Sequence, residues 1–309
     1  MFEKFIVVVT QTTILFLMMV VGVFARRFKM FDEISIKKIA DFVLIVITPC
    51  LIVKSFQQPF EPVMLKGVCW SFILALFSHF VAIISSRVLV ADSDEGRLRT
   101  MRFATVFSNA GYMGIPLQYA ILGDRGVFYG SIYVVVFHVL CWTYGVWEMR
   151  GSFKGESFFK IIFNPGLLGV ALGIPFFLFS IKLPTVLSEP VKMISSMYTP
   201  LAMLVLGYYL AGAKFSMAFK CKGSYSVLFL RHFLIPSSVM VLLYCLPLVS
   251  YEVALSAMIP SSAPIAASVA MFSARYGRKP EFITALVAVS TLLSIITMPI
   301  LITISMTLF

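Results

Sequence analysis

The sequence predicts an all-α integral membrane protein of ten transmembrane helices, built as two inverted five-helix repeats in which helices 4 and 9 are broken. Three observations predict this fold class: the composition, the placement of the basic residues, and two matching interruptions in the apolar runs. Hydrophobic residues make up 60% of the chain and charged residues only 13%, whereas a soluble domain carries about 25% charged residues. Such a chain cannot cover a water-exposed globule with polar groups, so the expected surrounding is the lipid bilayer.

Apolar runs close to the roughly 20 residues that a membrane-spanning helix needs follow one another along the chain. The first run is followed by Arg26 and Arg27 and by no small-residue cleavage site, so we expect a retained helix and not a signal peptide. The five cysteines show no CxxC spacing, which predicts neither a metal site nor a disulfide framework, and no cofactor is expected. The runs predict ten helices over residues 5–25, 35–57, 66–90, 100–122, 126–148, 165–184, 192–213, 226–249, 250–273 and 281–307.

The basic residues alternate between the two sides of the predicted bundle. With the helix ends included, the connections after helices 1, 3, 5, 7 and 9 hold 19 of the 25 Lys and Arg residues, and the opposite side holds six. Basic residues collect on the cytoplasmic side of membrane proteins, which explains the net charge of +11 without a nucleic-acid partner. The alternation predicts termini outside the cytoplasm and a cytoplasmic loop at 149–164. Arg231 is counted with the cytoplasmic set, and His232 beside it is expected at that interface.

The two halves of the chain share features at a fixed offset. Thr48-Pro49 in helix 2 and Thr199-Pro200 in helix 7 lie 151 residues apart, as do Gly22 in helix 1 and Gly173 in helix 6. The pattern predicts one repeat over residues 1–155 and a second over 156–309. Because each repeat has five helices, the second must be inverted relative to the first, with a pseudo-two-fold axis in the membrane plane.

Helices 4 and 9 are interrupted at corresponding places, over Asn109–Pro116 and Pro260–Pro264. Irregular backbone survives at membrane depth only where it lines a cavity or is buried in protein, so we expect both helices to unwind near mid-membrane and to form the site. The amides at half-helix N-termini carry partial positive charge and bind anions. The side-chain amide of Asn109 and the hydroxyls of Ser261 and Ser262 would add neutral donors, which suits a small organic anion better than a metal ion. The sequence therefore predicts a secondary transporter for such an anion.

The string Ser108–Leu117, SNAGYMGIPL, resembles the N-x3-M-G-I-P-L signature in helix 4 of the auxin efflux carrier family, which includes plant PIN proteins and bacterial carriers. The resemblance implies that helices 4 and 9 cross at their prolines, and that a transport domain of helices 3–5 and 8–10 moves in an elevator-like manner against a scaffold of helices 1, 2, 6 and 7. It also implies that Asn109 contacts a substrate carboxylate. Ser261-Ser262 stand where plant members have a Gln-Gly pair, and the central loop is short. These departures favour a bacterial-type carrier of mono- or dicarboxylates in the plasma membrane, here the bacterial inner membrane.

The candidate substrate-binding residues are Asn109, Gly111, Met113, Gly114, Pro116, Pro260, Ser261, Ser262 and Pro264. Four further residues are candidates for ion coupling or gating: Thr48, Asp41, His79 and His138. For Asp41 the alternative is an interfacial ion pair with Lys37 or Lys38, and for the two histidines it is a hydrogen-bonded place in the core.

Several alternatives to an anion carrier stay open. A sodium- or proton-coupled antiporter-like carrier, a channel, or a receptor that shares a transporter fold could all use broken helices. An enzyme is not expected, because the chain has no H-E-x-x-H motif and its three histidines lie on different helices. The expected partners are the small organic anion and the bilayer, with a homodimer as an open option.

Overall fold

The computed structural model describes residues 2–151, 165–246 and 248–309, and every regular element in these residues is helical. The first half contains α1 (Phe2–Arg27), α2 (Glu33–Phe42), α3 (Thr48–Phe56), α4 (Pro62–Leu89), α5 (Glu95–Val106), α6 (Ile115–Leu140) and α7 (Val146–Arg150). The second half contains α8 (Pro165–Leu178), α9 (Thr185–Ser196), α10 (Tyr198–Ala211), α11 (Ser216–Phe219), α12 (Lys222–Phe229), α13 (Ile235–Tyr244), α14 (Tyr251–Ser262), α15 (Ser268–Arg275) and α16 (Pro280–Leu308). Single π-helical turns join or precede some of them: π1 (Val43–Ile47), π2 (Ala110–Gly114), π3 (Cys141–Gly145) and π4 (Leu230–Leu234).

Acidic residues cap the N-termini of two helices. Asp32 accepts a hydrogen bond from the backbone amide of Ser35 at 2.7 Å at the start of α2, and Asp94 accepts one from Arg97 at 2.9 Å at the start of α5. Each carboxylate satisfies an amide that lacks a partner within its helix, and it lies at the positive end of the helix dipole.

Several helical stretches are long and apolar enough to cross a membrane. Their outward-facing apolar side chains, such as Leu17 at 62% exposure and Ile296 at 64%, are what a lipid-facing surface requires. The all-α fold class is confirmed for the described residues, and a multi-pass membrane protein is supported. By length and composition, seven stretches of the described residues qualify: Phe2–Arg27, Glu33–Phe56, Pro62–Leu89, Ala110–Arg150, Thr185–Ala211, Lys222–Tyr244 and Pro280–Leu308.

The structure corrects some of the predicted boundaries. Helix 6 was predicted over 165–184 but ends at Leu178, and helix 8 begins at Lys222 rather than at 226. The predicted connection between helices 4 and 5 is a one-residue kink at Gly123 (φ +64°, ψ −149°) inside α6, in a backbone region that only glycine adopts readily. The predicted repeat boundary at residues 155 and 156 and most of the loop 149–164 lie outside the described residues.

Two groups of helices pack among themselves. In the first, α1 lies against α10, and α3 lies against α8 and α9. A Cβ atom added to Gly22 would lie 2.1 Å from the carbonyl oxygen of Leu204, and one added to Gly207 would lie 1.9 Å from that of Met19. Because glycine lets two helix backbones approach this closely, α1 and α10 pack as a tight pair.

The second group contains the remaining long helices. In it α14 packs against α4, α6, α13 and α16, while α5 packs against α4, α7 and α12. The two groups meet mainly where α1 contacts α16 and where α3 and α8 contact α6. The breaks between α5 and π2 and between α14 and α15 lie inside this second group, so the packing of its long helices positions the candidate site.

Candidate functional site

The two helix breaks meet each other in the interior. The backbone amide of Asn109 donates to the carbonyl of Pro264 at 2.7 Å, and the amide of Ala266 donates to the carbonyl of Phe107 at 2.9 Å. Ser108 and Ile265 lie between these bonds as an antiparallel bridge. Backbone groups that lost their helical partners therefore bond to the other break, which removes the cost of burying them unpaired. We call the segments Phe107–Asn109 and Ala263–Ala267 together the crossover.

Two of the three candidate prolines lie inside helices. Pro116 is the second residue of α6, and Pro260 lies inside α14, two residues before its end. Proline is tolerated in the first turn of a helix because the amide there has no helical acceptor. Only Pro264 lies in a break, so the expectation that the chain unwinds around Pro116 was wrong: that segment is the π2 turn and the start of α6.

Asn109 lies at the start of a half-helix and its side chain is only 3% exposed. Its backbone carbonyl oxygen accepts hydrogen bonds from the backbone amides of Met113 at 3.2 Å and Gly114 at 3.0 Å. Its side-chain nitrogen Nδ2 has no hydrogen-bond partner among the described residues. An unpaired buried amide is costly, so this donor is suited to a ligand.

The glycines of π2 are placed for close approach. A Cβ on Gly114 would lie 3.6 Å from the Cα of Pro260, so π2 and α14 run past each other at van der Waals distance. A Cβ on Gly111 would find only the hydroxyl oxygen of Tyr198, at 3.8 Å. Met113 is fully buried, and its sulfur is 3.8 Å from the Ser294 hydroxyl.

The hydroxyls of the last two serines of α14 are bonded to carbonyls of their own helix. Ser261 donates to the carbonyl of Met258 at 3.0 Å, and Ser262 donates to that of Ile259 at 3.0 Å. They can offer lone pairs to a ligand but not their hydrogens. Ser108 is different, because its buried hydroxyl has no partner in the described part of the chain.

Arg231 and His232 lie elsewhere than predicted. Both are fully buried in π4, within the helical stretch Lys222–Tyr244, so the expectation of a cytoplasmic loop cation and an interfacial histidine was wrong. The His232 nitrogen Nε2 is 2.8 Å from the hydroxyl of Ser290, which accepts from the amide of Ile265 at 3.0 Å, and Nδ1 is 2.9 Å from the hydroxyl of Thr297. The prediction failed because it began this helix at residue 226. The helix begins at Lys222, so both residues lie four positions further from its start than predicted.

The four candidates for coupling or gating differ in their surroundings. The hydroxyl of Thr48 donates to the carbonyl of Val43 at 2.8 Å, within its own helical stretch. Asp41 is partly buried, and among the described residues it forms no ion pair within 4.0 Å, so the pairing with a neighbouring lysine is absent. His138 lies on α6 with its ring centroid 5.2 Å from that of Phe137.

His79 lies beside a crossover residue. It is 1% exposed, and its ring centroid is 6.1 Å from that of Phe107. Its Nδ1 lies 2.8 Å from the carbonyl of Ala75, while Nε2 has no partner in the described residues. Those residues also contain no group of three His, Cys, Asp or Glu side chains that could hold a metal ion.

One of two comparisons with known proteins identifies a family. A family model described as membrane transport protein matches residues 7–158 and 154–302, which together cover nearly the whole chain. A comparison with curated proteins found no significant match.

Proposed function

Because the chain belongs to the membrane transport protein family, the family of the auxin efflux carriers, we propose that it is a secondary transporter for a small organic anion. The substrate is a mono- or dicarboxylate, carried across the plasma membrane, the inner membrane of a bacterial cell. The observation that carries this proposal is the crossover, where the buried side-chain amide of Asn109 has no partner among the described residues and lies at the start of a half-helix. A half-helix N-terminus with an added donor is suited to a carboxylate.

Helix lengths support ten membrane crossings. A helix rises about 1.5 Å per residue and the hydrocarbon core is about 30 Å thick, so the 41 residues of Ala110–Arg150 allow two crossings that meet at the Gly123 kink. The first of these includes α5 and the crossover. α8 makes a shorter crossing, and α14 with α15 makes one through its break. Together with the other six long stretches they give ten.

The same arrangement sets the orientation that we propose. Five crossings in each half make the second half an inverted copy of the first and put both termini on one side. With Arg231 taken out of the 19 loop cations, 18 remain against six on the opposite side. The bias still favours termini outside the cytoplasm.

We propose that helices 1, 2, 6 and 7 (α1–α3 and α8–α10) form a scaffold, and that helices 3–5 and 8–10 (α4–α7 and α12–α16) form a transport domain that moves like an elevator. The tight pair of α1 and α10 supports a rigid scaffold. Between the groups, the Tyr112 hydroxyl donates to the Ala40 carbonyl at 3.1 Å, and the Lys54 ammonium is 3.0 Å from the Asp124 carboxylate. Side-chain contacts of this kind can be exchanged without unfolding either group.

Asn109 is the residue that we propose as donor to the substrate carboxylate. Gly111 and Gly114 place no side chain at two positions of the adjacent π2 turn, and the segment from Pro260 to Pro264, at and beyond the end of α14, forms the opposite wall. His79 is the proposed coupling residue, because its ring lies beside that of Phe107 in the crossover and its buried Nε2 has no partner among the described residues.

Binding and flux measurements test this function. The purified full chain is heated with a panel of mono- and dicarboxylates, since a ligand of the folded state raises the melting temperature Tm. The compound that stabilises most is then followed into proteoliposomes, where we expect saturable uptake that excess unlabelled compound suppresses. Stabilisation without flux would instead identify a receptor with this fold, and flux that does not saturate would identify a channel. A panel that produces neither effect contradicts the proposal.

A further inference from the structure

Arg231 holds together the ends of the two broken helices. Its guanidinium nitrogen Nη1 donates to the carbonyls of Thr105 at 3.1 Å and Val106 at 3.4 Å, and Nη2 donates to the carbonyl of Ser261. The side chain is fully buried. No carboxylate lies within 4.0 Å of it among the described residues.

The three carbonyls share one property. Thr105 and Val106 are the last residues of α5, and Ser261 is the residue before the last of α14. The final carbonyls of a helix have no helical partner and carry the equivalent of about half a negative charge. One guanidinium therefore neutralises the C-terminal ends of two half-helices.

The other two half-helix ends at the crossover are N-terminal. The stretch from Ala110 and the helix from Ser268 both begin there, so each presents the partial positive charge of a helix N-terminus. Without Arg231, two positive and two negative helix ends would meet and their fields would largely cancel. With Arg231 in place the negative ends are neutralised. The positive ends remain beside the side-chain donors of Asn109 and Ser108, which have no partner in the part of the chain that the structure describes.

We propose that Arg231 sets the charge selectivity of the crossover: it cancels the two C-terminal helix ends, and the remaining field selects a carboxylate over a neutral compound of the same shape. This inference rests on the proposed function and assigns its anion preference to one residue. Both terminal nitrogens of Arg231 are bonded to carbonyls, and Nε has no partner among the described residues. Arg231 acts through the helix ends and is a positioning residue. A unit charge still acts at distances of several ångströms in a protein interior, where the effective dielectric constant is about 20.

The test compares ligands that differ in charge but hardly in shape. Binding of benzoate and benzamide, and of succinate and succinamide, is measured on the purified full chain for wild type, Arg231→Gln and Arg231→Lys. We expect wild type to bind at least one carboxylate about tenfold or more tightly than its amide, because the Arg231 charge acts on the carboxylate over several ångströms. In Arg231→Gln the ratio should fall to about threefold or less, and in Arg231→Lys it should stay near the wild-type value because the charge remains.

The ratio separates this proposal from a purely structural role. A clamp that only holds the half-helices together would, when removed, weaken both ligands equally and leave the ratio unchanged. Arg87→Gln is the matched control. Arg87 lies in the last turn of α4 and pairs with the carboxylate of Glu148 in α7, so its removal should not change the ratio of carboxylate to amide affinity.

Each outcome decides something. Wild type that binds no carboxylate overturns the proposed function and this inference with it. Wild type that binds a carboxylate and its amide equally overturns only the charge selectivity, as does a folded Arg231→Gln variant that keeps the wild-type ratio. Should Arg231→Gln fail to fold, the Lys variant decides, and a loss of the ratio there contradicts the proposal.

Discussion

The backbone amide of Asn109 donates to the carbonyl of Pro264 at 2.7 Å, so a residue of the first break is bonded directly to a residue of the second. Neither break can satisfy its backbone alone, because each lacks helical partners on the side where the chain unwinds. The two breaks are therefore one structural unit. A change on either side that moves the backbone should disturb both, whereas a change confined to a side chain should not.

Asn109→Ala is such a side-chain change. The Nδ2 atom has no protein partner among the described residues, so removing it should leave the Tm of the ligand-free protein nearly unchanged. Loss of a hydrogen bond to a charged ligand is worth roughly 1.5–3 kcal/mol, or about 10- to 100-fold in Kd. A thermal-shift titration with the carboxylate that stabilises wild type measures both quantities.

The matched control is Gln118→Ala, which removes a buried amide whose nitrogen is bonded within the fold. Its Nε2 donates to the carbonyl of Ser256 at 2.8 Å, so this variant should lower the Tm and keep its response to the ligand. A wild-type ligand response in Asn109→Ala would remove Asn109 from the substrate site.

Sequence patterns located both interruptions but not their detail. Pro264 and the glycine pair marked the right regions, because composition shows where a helix is weak. The unwound residues Phe107 and Ser108 carry no local signal, since their extended backbone comes from pairing with Ile265 across the crossover. The role of Arg231 was missed for a similar reason. Its partners are backbone carbonyls of distant helices, and a sequence pattern does not show such partners.

Ser290 links the crossover to α16 through its hydroxyl. That oxygen accepts from the amide of Ile265 at 3.0 Å and lies 2.8 Å from Nε2 of His232. Ser290→Ala leaves two buried groups without a partner, and each costs roughly 1–3 kcal/mol in the free energy of unfolding. We expect a clear fall in Tm in detergent.

Ser294→Ala on the same helix is the control for Ser290. Its hydroxyl donates to the carbonyl of Thr291 at 2.6 Å within α16, so the change leaves no buried amide or imidazole unpaired. Equal losses of Tm in the two serine variants would contradict the link between Ser290 and the crossover.

Gly207→Ala tests the tight pair of α1 and α10. The added Cβ would lie 1.9 Å from the carbonyl oxygen of Met19, so the helix backbones must separate. Overpacking of this kind costs roughly 1–3 kcal/mol, and we expect a lower Tm. Gly111→Ala makes the same chemical change with its nearest neighbour at 3.8 Å, and its ligand-free Tm should stay close to wild type. A larger loss in Gly111→Ala than in Gly207→Ala would contradict the packing.

The connection between α4 and α5 makes Cys221 a reporter of an ion pair. Asp92 accepts from Arg97 at 2.8 and 3.1 Å, and it accepts from the Cys221 thiol at 3.0 Å. The Arg97 bonds lower the pKa of Asp92 to about 2, so Asp92 is ionised at neutral pH. Burial, and then the Asp92 bond, raise the pKa of Cys221, because a thiolate beside a carboxylate is disfavoured.

Asp92→Asn removes that negative charge, so the pKa of Cys221 should fall towards its ordinary value. At the same pH the variant then holds a larger fraction of Cys221 as thiolate than wild type does, and the thiolate is the reactive form. The rate of iodoacetamide labelling at Cys221, read from its own peptide by mass spectrometry, should therefore rise at lower pH than in wild type. Asp94→Asn on the same connection removes a carboxylate that caps α5 and lies 3.4 Å from Lys279, and it should leave the pH profile unchanged. A profile that moves with Asp94 and not with Asp92 would show that the thiol responds to another charge.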